Sequence, residues 1–220
     1  MSISRSVLVV EDEALIRNLV AGQLKAEGFE VHTAASAAEA RKLADAIDPD
    51  VALLDIELGF GPTGIDLATI LRNQDPGIAI VFLTHLPEPK LVGIENRMIP
   101  KNAAYLVKDR ISDPGQLTKA IEAALRDRVT DELRDYKSAS SKFSNVSRSQ
   151  LQVIQAIANG ASNHDIAEQR GTTVRAVENL IKRAFESAGL LTEENSDNRV
   201  HLRVAAAKEY LRAIGKLRDN

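Results

Sequence analysis

The sequence predicts two domains of different class: a doubly wound α/β domain on a parallel five-stranded sheet, followed by an all-α helix-turn-helix domain. Three observations carry the prediction. Over the first 130 residues, short runs that are apolar throughout alternate with helical stretches, and such strands belong to parallel sheets covered on both faces. A polar, serine-rich stretch comes next, and beyond it the pattern is helical only, broken by glycine turns. A chain of 220 residues is comfortable for two domains and long for one.

Taken in order, residues 7–10 (VLVV) form the first strand, and a helical pattern at Leu15, Leu19, Val20 and Leu24 follows until Gly28 stops it. Residues 29–33 make the second strand. Residues 35–47 make an alanine-rich helix that ends before Pro49, because the residue preceding a proline is driven out of the α region. Residues 51–55 are the third strand, residues 65–71 are helical, and Asp75, Pro76 and Gly77 make a turn. The fourth and fifth strands are residues 78–84 and 104–107, and a long helix is expected over 116–133. Residues 135–145 have almost no large apolar side chains and read as linker. The predicted domains are therefore 1–130 and 146–220, joined by a linker over 131–145.

The rear domain opens on a capping box from Ser147 to Gln150, with Leu151, Ile154 and Ile157 on one helix face and Gly160 past its end. Ser162 and Asp165 cap a second, short helix through Glu168. Gly171 turns the chain, and Thr172 or Thr173 caps a third helix to about Ala188. These lengths and tight turns predict a helix-turn-helix. Ile154, Ile157, Ile166, Ala167, Val177, Leu180, Ile181 and Phe185 supply its core. A loop over 190–198 leads to a last helix, 199–214, with an apolar stripe at Val200, Val204, Ala207, Leu211 and Ile214 for packing or for a second copy.

Composition narrows the chemistry. The absence of cysteine excludes disulfides, zinc–thiolate sites, iron–sulfur clusters and a thiol nucleophile. The first apolar run is too short for a signal peptide or a membrane span, so a cytoplasmic protein without a membrane partner is expected. Residues 1–130 carry 14 Lys and Arg against 19 Asp and Glu, a balance of −5; residues 131–220 carry 14 against 12, or +2. Different partners for the two parts are implied.

The strand ends carry the candidate site: Glu11 and Asp12 after the first strand, Asp55 after the third, Thr84 after the fourth and Lys108 after the last. In doubly wound sheets these ends meet at one edge. Converging carboxylates repel unless a hard divalent cation sits among them, and an oxygen-rich site suits Mg²⁺. A lysine and a hydroxyl beside a metal-bound aspartate suit phosphoryl transfer, with the aspartate as nucleophile.

Residues 9–13 (VVEDE), 53–55 (LLD), 82–84 (FLT) and 105–108 (YLVK) resemble the receiver domain of bacterial two-component response regulators over about residues 5–130. The resemblance implies Mg²⁺ at Glu11, Asp12, Asp55 and the backbone carbonyl of Glu57. It implies phosphoryl acceptance by Asp55 with contacts from Thr84 and Lys108, a switch pair of Thr84 and Tyr105, and a sensor histidine kinase as donor. Departures stand at Gly59, where the family usually has proline, in the slightly long loop 56–64, and at His85, where the family usually has a small residue. Pro87, Pro89 and Pro100 predict that the family's fourth helix is short or irregular. Asp55, Glu57, Thr84 and Lys108 also resemble the motifs of haloacid-dehalogenase-type phosphatases, but Glu11 and Asp12 on the opening strand fit the receiver better.

In the rear domain, residues 158–168 (ANGASNHDIAE) and 173–179 (TVRAVEN) resemble the NarL/LuxR-type helix-turn-helix over about residues 146–190. By that resemblance the DNA-facing residues are Arg175, Glu178, Asn179, Lys182 and Arg183, with departures at Ala176, Leu180 and Ser187 and in the expanded loop 192–198. The implied protein is not an enzyme. It is a phosphorylation-controlled regulator that binds double-stranded promoter DNA, as a homodimer when phosphorylated. The alternative is an adaptor whose helical domain binds a protein.

Overall fold

The computed structural model describes residues 4–59, 61–113, 115–138, 142–191 and 199–217. The loop expected over 192–198 lies outside them, as do Phe60 and residues 139–141 of the expected linker. Two compact units are present: Met1–Leu86 with Glu95–Ser138, and Pro87–Ile94 with Ala139–Asn220.

The first unit is built on strands β1 (Ser6–Val10), β2 (Glu30–Ala34), β3 (Val51–Leu54), β4 (Ala79–Thr84) and β5 (Ala104–Val107). All pair in parallel in the order β2-β1-β3-β4-β5. Alternate residues feed the two faces. Val7, Val9, Val51, Leu53, Val81 and Leu106 pack with Leu24 of helix α1 (Ala14–Ala26) and with Leu117, Ala120, Ile121 and Ala124 of a later helix. The opposite face is covered by α2 (Ala37–Ile47) and α3 (Gly64–Gln74). Serine and threonine start both helices: Ser36 Oγ accepts from Glu39 N, and Thr63 forms a reciprocal capping box with Asp66.

On α1 the expected apolar pattern splits. Leu24 is buried, but Leu15 and Leu19 are exposed. The helix expected over 116–133 ends earlier, as α4 (Gly115–Leu125). Asp127 adopts a left-handed φ of 52°, Arg128 N donates to Ala123 O, and Asp127 N donates to Ala124 O. This is a Schellman ending with aspartate where glycine is usual, which is why the pattern hides it. Beyond a 3₁₀ turn, α5 (Asp135–Ser138) falls in the stretch expected to be linker. Arg134 bridges to Tyr105, and the Asp135 carboxylate accepts from Val107 N at 2.7 Å, so residues 134–135 cover the outer edge of β5.

No α-helix joins β4 to β5. Only 3₁₀ turns at Pro89–Val92 and Asn96–Met98 stand there, as the prolines predict. The second unit contains α6 (Arg148–Ala158), α7 (Asn163–Gln169), α8 (Val174–Ser187) and α9 (Arg199–Ala213). The boxes at Ser147/Gln150 and Ser162/Asp165 are both formed, and Thr173 caps α8. Phe143 and Val146 are buried with this unit's core, although Phe143 lies inside the expected linker and Val146 just past it. On α9 the buried face is Leu202, Ala206, Tyr210 and Ile214. Of the expected stripe, Val200 and Val204 are exposed, Ala207 and Leu211 are half-buried and Ile214 is buried, so only its first half lies off the packed face.

Candidate functional site

The sheet order reverses between β1 and β3, where open α/β sheets leave a crevice at their C-terminal edge. Register puts the acids there. Val10 pairs with Leu54, Asp55 N donates to Val10 O at 2.9 Å, and the chain then continues into Glu11 and Asp12 on one side and Asp55 on the other. Lys108 follows β5 directly. Its Nζ lies 2.6 Å from Glu11 Oε2 and 2.7 Å from Asp55 Oδ2, and all three side chains are nearly buried. Asp12 is exposed, and Glu11, Asp12 and Asp55 each offer an oxygen within 4.8 Å of the others.

One ammonium here serves two carboxylates, with a third beside it. Burial lowers the Lys108 pKa, but the Asp55 charge and the hydrogen bonds to Asp55 and Glu11 outweigh it, so the net shift is upward. Glu11 is left under-compensated. Burial raises its pKa, the neighbouring Asp55 adds to the rise, and Lys108 does not cancel the sum. Glu11 Oε1 is buried with no hydrogen-bond partner. A surplus of negative charge, an orphaned carboxylate oxygen and an all-oxygen donor set suit Mg²⁺.

Backbone details shape the rim. Glu57 N donates to Asp55 Oδ1 at 3.3 Å, so that peptide borders the pocket. Gly64 opens α3 directly against the end of β3: a Cβ built there would lie 2.0 Å from the Asp55 carbonyl oxygen. A side chain on Gly59 would come to 3.4 Å of Asp12 Oδ2, which shows how near the lengthened loop approaches the acids. Sequence reasoning missed Arg17, whose Nη1 donates to the carbonyls of Glu11 (2.7 Å) and Asp12 (3.2 Å) and fixes the acidic turn. Its signal was only a basic residue on the first turns of α1.

Thr84 and Tyr105 are fully buried and meet at one residue, Leu86. Thr84 Oγ1 accepts from Leu86 N at 3.3 Å, and the Tyr105 hydroxyl donates to Leu86 O at 2.6 Å. Burial, with Asp55 and Asp135 nearby, pushes the Tyr105 phenol far up, so it remains a donor. Its ring meets Tyr136 edge-on at 5.1 Å. His85 Nδ1 lies 3.3 Å from Asp109 Oδ1, a partner the sequence did not suggest.

In the second unit, α7 and α8 follow one another across a short turn at Gly171. Val177, Ile181, Ala184 and Phe185 are buried, and Leu180 is half-buried. Arg175, Glu178, Asn179, Lys182 and Arg183 are all exposed. Ser187 accepts from Gln150 Nε2 at 3.2 Å, so this departure from the family pattern serves the contact between α6 and α8. Among the described residues, no helix is long and apolar enough to cross a membrane.

A family model, the response regulator receiver domain, matches residues 7–122. The transcriptional regulatory protein PdtaR of Mycobacterium tuberculosis is 38% identical over 126 residues, 56% of this chain and 58% of that protein. The aerobic respiration control protein ArcA of Escherichia coli is 35% identical over 91 residues, 40% of this chain and 37% of that protein. Less than two thirds of either relative is spanned, and their names are those of regulators rather than enzymes. A LuxR-family two-component response regulator from Aurantimonas sp. SI85-9A1 matches with a TM-score of 0.50 and 27% identity, over 57% of this chain and 88% of that one. The response regulator RcsB in its DNA complex matches with a TM-score of 0.58 over 96% of this chain and 100% of that one; at 16% identity this is a likeness of fold.

Proposed function

The chain belongs to the response regulator receiver family through residues 7–122, and from that premise we propose a phosphorylation-controlled regulator of transcription whose acceptor is Asp55 and whose C-terminal unit binds promoter DNA. The observation that carries the first half is the buried Lys108–Glu11–Asp55 triad with its uncompensated charge. Glu11, Asp12 and Asp55, with the Glu57 carbonyl, would hold Mg²⁺, which supplies charge neutralisation to the phosphoryl oxygens when bound. An Asp55 carboxylate oxygen forms the new O–P bond. The P–N bond to a kinase phosphohistidine breaks, and its electron pair stays on the departing imidazole nitrogen. Lys108 meets the added negative charge from where it already stands, beside Asp55. Thr84, whose hydroxyl now only accepts, has its own proton free to donate to a phosphoryl oxygen.

A small-molecule phosphodonor with Mg²⁺ should add one acid-stable, base-labile phosphoryl group, read by intact mass. Asp55→Asn or chelation of the metal should abolish it; labelling that survives Asp55→Asn overturns the assignment.

DNA binding is supported by the capped helix-turn-helix and by the five exposed polar residues of α8. Lys182 and Arg183 suit phosphates, and Asn179 suits a base edge. In the phosphorylated full chain, Lys182→Ala should flatten the salt dependence of DNA affinity by about one unit of slope. Asn179→Ala should cost about 1–3 kcal/mol of discrimination at one base position. Binding that shows no salt dependence at all would favour the protein-binding adaptor instead.

A further inference from the structure

The residues that join β4 to β5 are claimed by the other unit. Pro87–Ile94 groups with the C-terminal unit, while the residues on either side stay with the sheet. Sequence explains why this segment is not an ordinary crossover helix. Pro87 and Pro89 lack N–H donors, Pro89 opens a single 3₁₀ turn, and Gly93 ends it at a φ of 86°. What the segment does instead is bond with a side chain and with backbone carbonyls of the second unit. Leu91 is buried, and its carbonyl accepts from the Tyr210 hydroxyl of α9 at 3.0 Å. The Lys90 ammonium donates to the carbonyls of Phe143 (3.3 Å) and Ser144 (3.0 Å). The rings of Phe143 and Tyr210 meet edge-on at 6.3 Å, so segment, turn and α9 converge on one aromatic pair.

The entry to this segment is Leu86, the residue whose amide and carbonyl are held by Thr84 and Tyr105. A single peptide bond therefore separates the residue this pair holds from a stretch built into the second unit. Glu88 in that stretch is buried with Oε2 unpartnered, which costs this seat stability.

We propose that Pro87–Ile94 is a strap that carries the state of the acceptor pocket to helix α9, with Thr84 and Tyr105 holding its entry and Tyr210 holding its middle. If the Thr84 hydroxyl is drawn to a phosphoryl oxygen, the Leu86 amide loses its acceptor. The displacement then passes along the strap to the Tyr210 contact and so to the helix that exposes Val200 and Val204. The proposal rests on the phosphoryl reading only for what moves the strap in the cell.

The test is amide hydrogen exchange on the full chain, as a double-mutant cycle of Tyr105→Phe and Tyr210→Phe. Tyr105→Phe should speed exchange about fivefold or more both in residues 87–94 and in the second half of α9, the range of coupling between distant sites. The double variant should exchange no faster in α9 than Tyr210→Phe alone. An α9 that ignores Tyr105→Phe, or effects that multiply, overturns the strap. If Tyr210→Phe loses protection throughout the unit, Lys90→Met takes its place in the cycle with the same expectations. With phosphodonor and Mg²⁺, both segments should respond in the wild type. A protein that carries the phosphoryl mass without any response in α9 also overturns the strap. Missing mass would overturn the acceptor reading, and the cycle still decides the strap.

Discussion

Lys108 holds together a pocket that would otherwise repel itself. Removing one partner from a buried ion pair costs about 3–5 kcal/mol, because a charge is left without compensation. Lys108→Met should therefore lower Tm in the absence of divalent metal, and Mg²⁺ should restore more of it than it adds to the wild type, as calorimetry with and without chelator would show. The pH dependence has a definite sign. Lys108 is shifted above its ordinary 10.5, so its stabilisation is full below that value and is lost as pH rises through the raised pKa. Glu11 is also shifted upward, so the fold without metal loses stability as Glu11 ionises. The Mg²⁺-induced gain in Tm should accordingly grow as pH climbs past the ordinary 4.5. Glu11, Asp12, Asp55 and Lys108 were legible because each ends a strand, and strand ends converge by topology. Arg17 and Asp109 were not, because one grips backbone carbonyls and the other meets His85 across two loops.

Elements matter here chiefly through their ends. Helix α3 starts so close to the acceptor strand that only glycine fits at position 64. Gly64→Ala should cost about 1–3 kcal/mol or more by overpacking, and should slow acceptor labelling because the Asp55 peptide must shift; denaturant unfolding and the labelling rate measure both. Normal stability together with normal labelling would show that α3 can retreat freely. The sheet's strands were readable from apolar runs, and the caps at Ser147, Ser162 and Thr173 from their side chains. The early stop of α4 was not, since Asp127 takes a conformation usually left to glycine. The packed side of α9 was misjudged for another reason. Two stripes of similar period run along that helix, and the one that packs is led by Tyr210 rather than by the valines.

For the molecule as a whole, the two classes of domain were legible from the change in periodicity, while the claim of the second unit on Pro87–Ile94 was not. That claim depends on contacts such as Leu91 with Tyr210, which no local pattern encodes. If the phosphorylated chain forms the homodimer expected from the sequence through α9, the exposed Val200 and Val204 are the apolar side chains it would bury. Val204→Asp should abolish it by placing an unpaired charge in an apolar contact, without unfolding the monomer, because the side chain is already exposed. Sedimentation with and without phosphodonor is the measurement, and dimerisation that persists in the variant would move the interface elsewhere.

A chimera that exchanged the two halves of this chain would be cut at its serine-rich joint. Because the path crosses from unit to unit after Leu86, before Glu95 and again after Ser138, a cut at that joint would part Pro87–Ile94 from the rest of its unit. The transplanted half would leave behind the piece that seats Tyr210 and satisfies the carbonyls of Phe143 and Ser144. A chimera would have to keep the donor's Pro87–Ile94 inside the recipient's sheet domain, so this short segment travels with the C-terminal half.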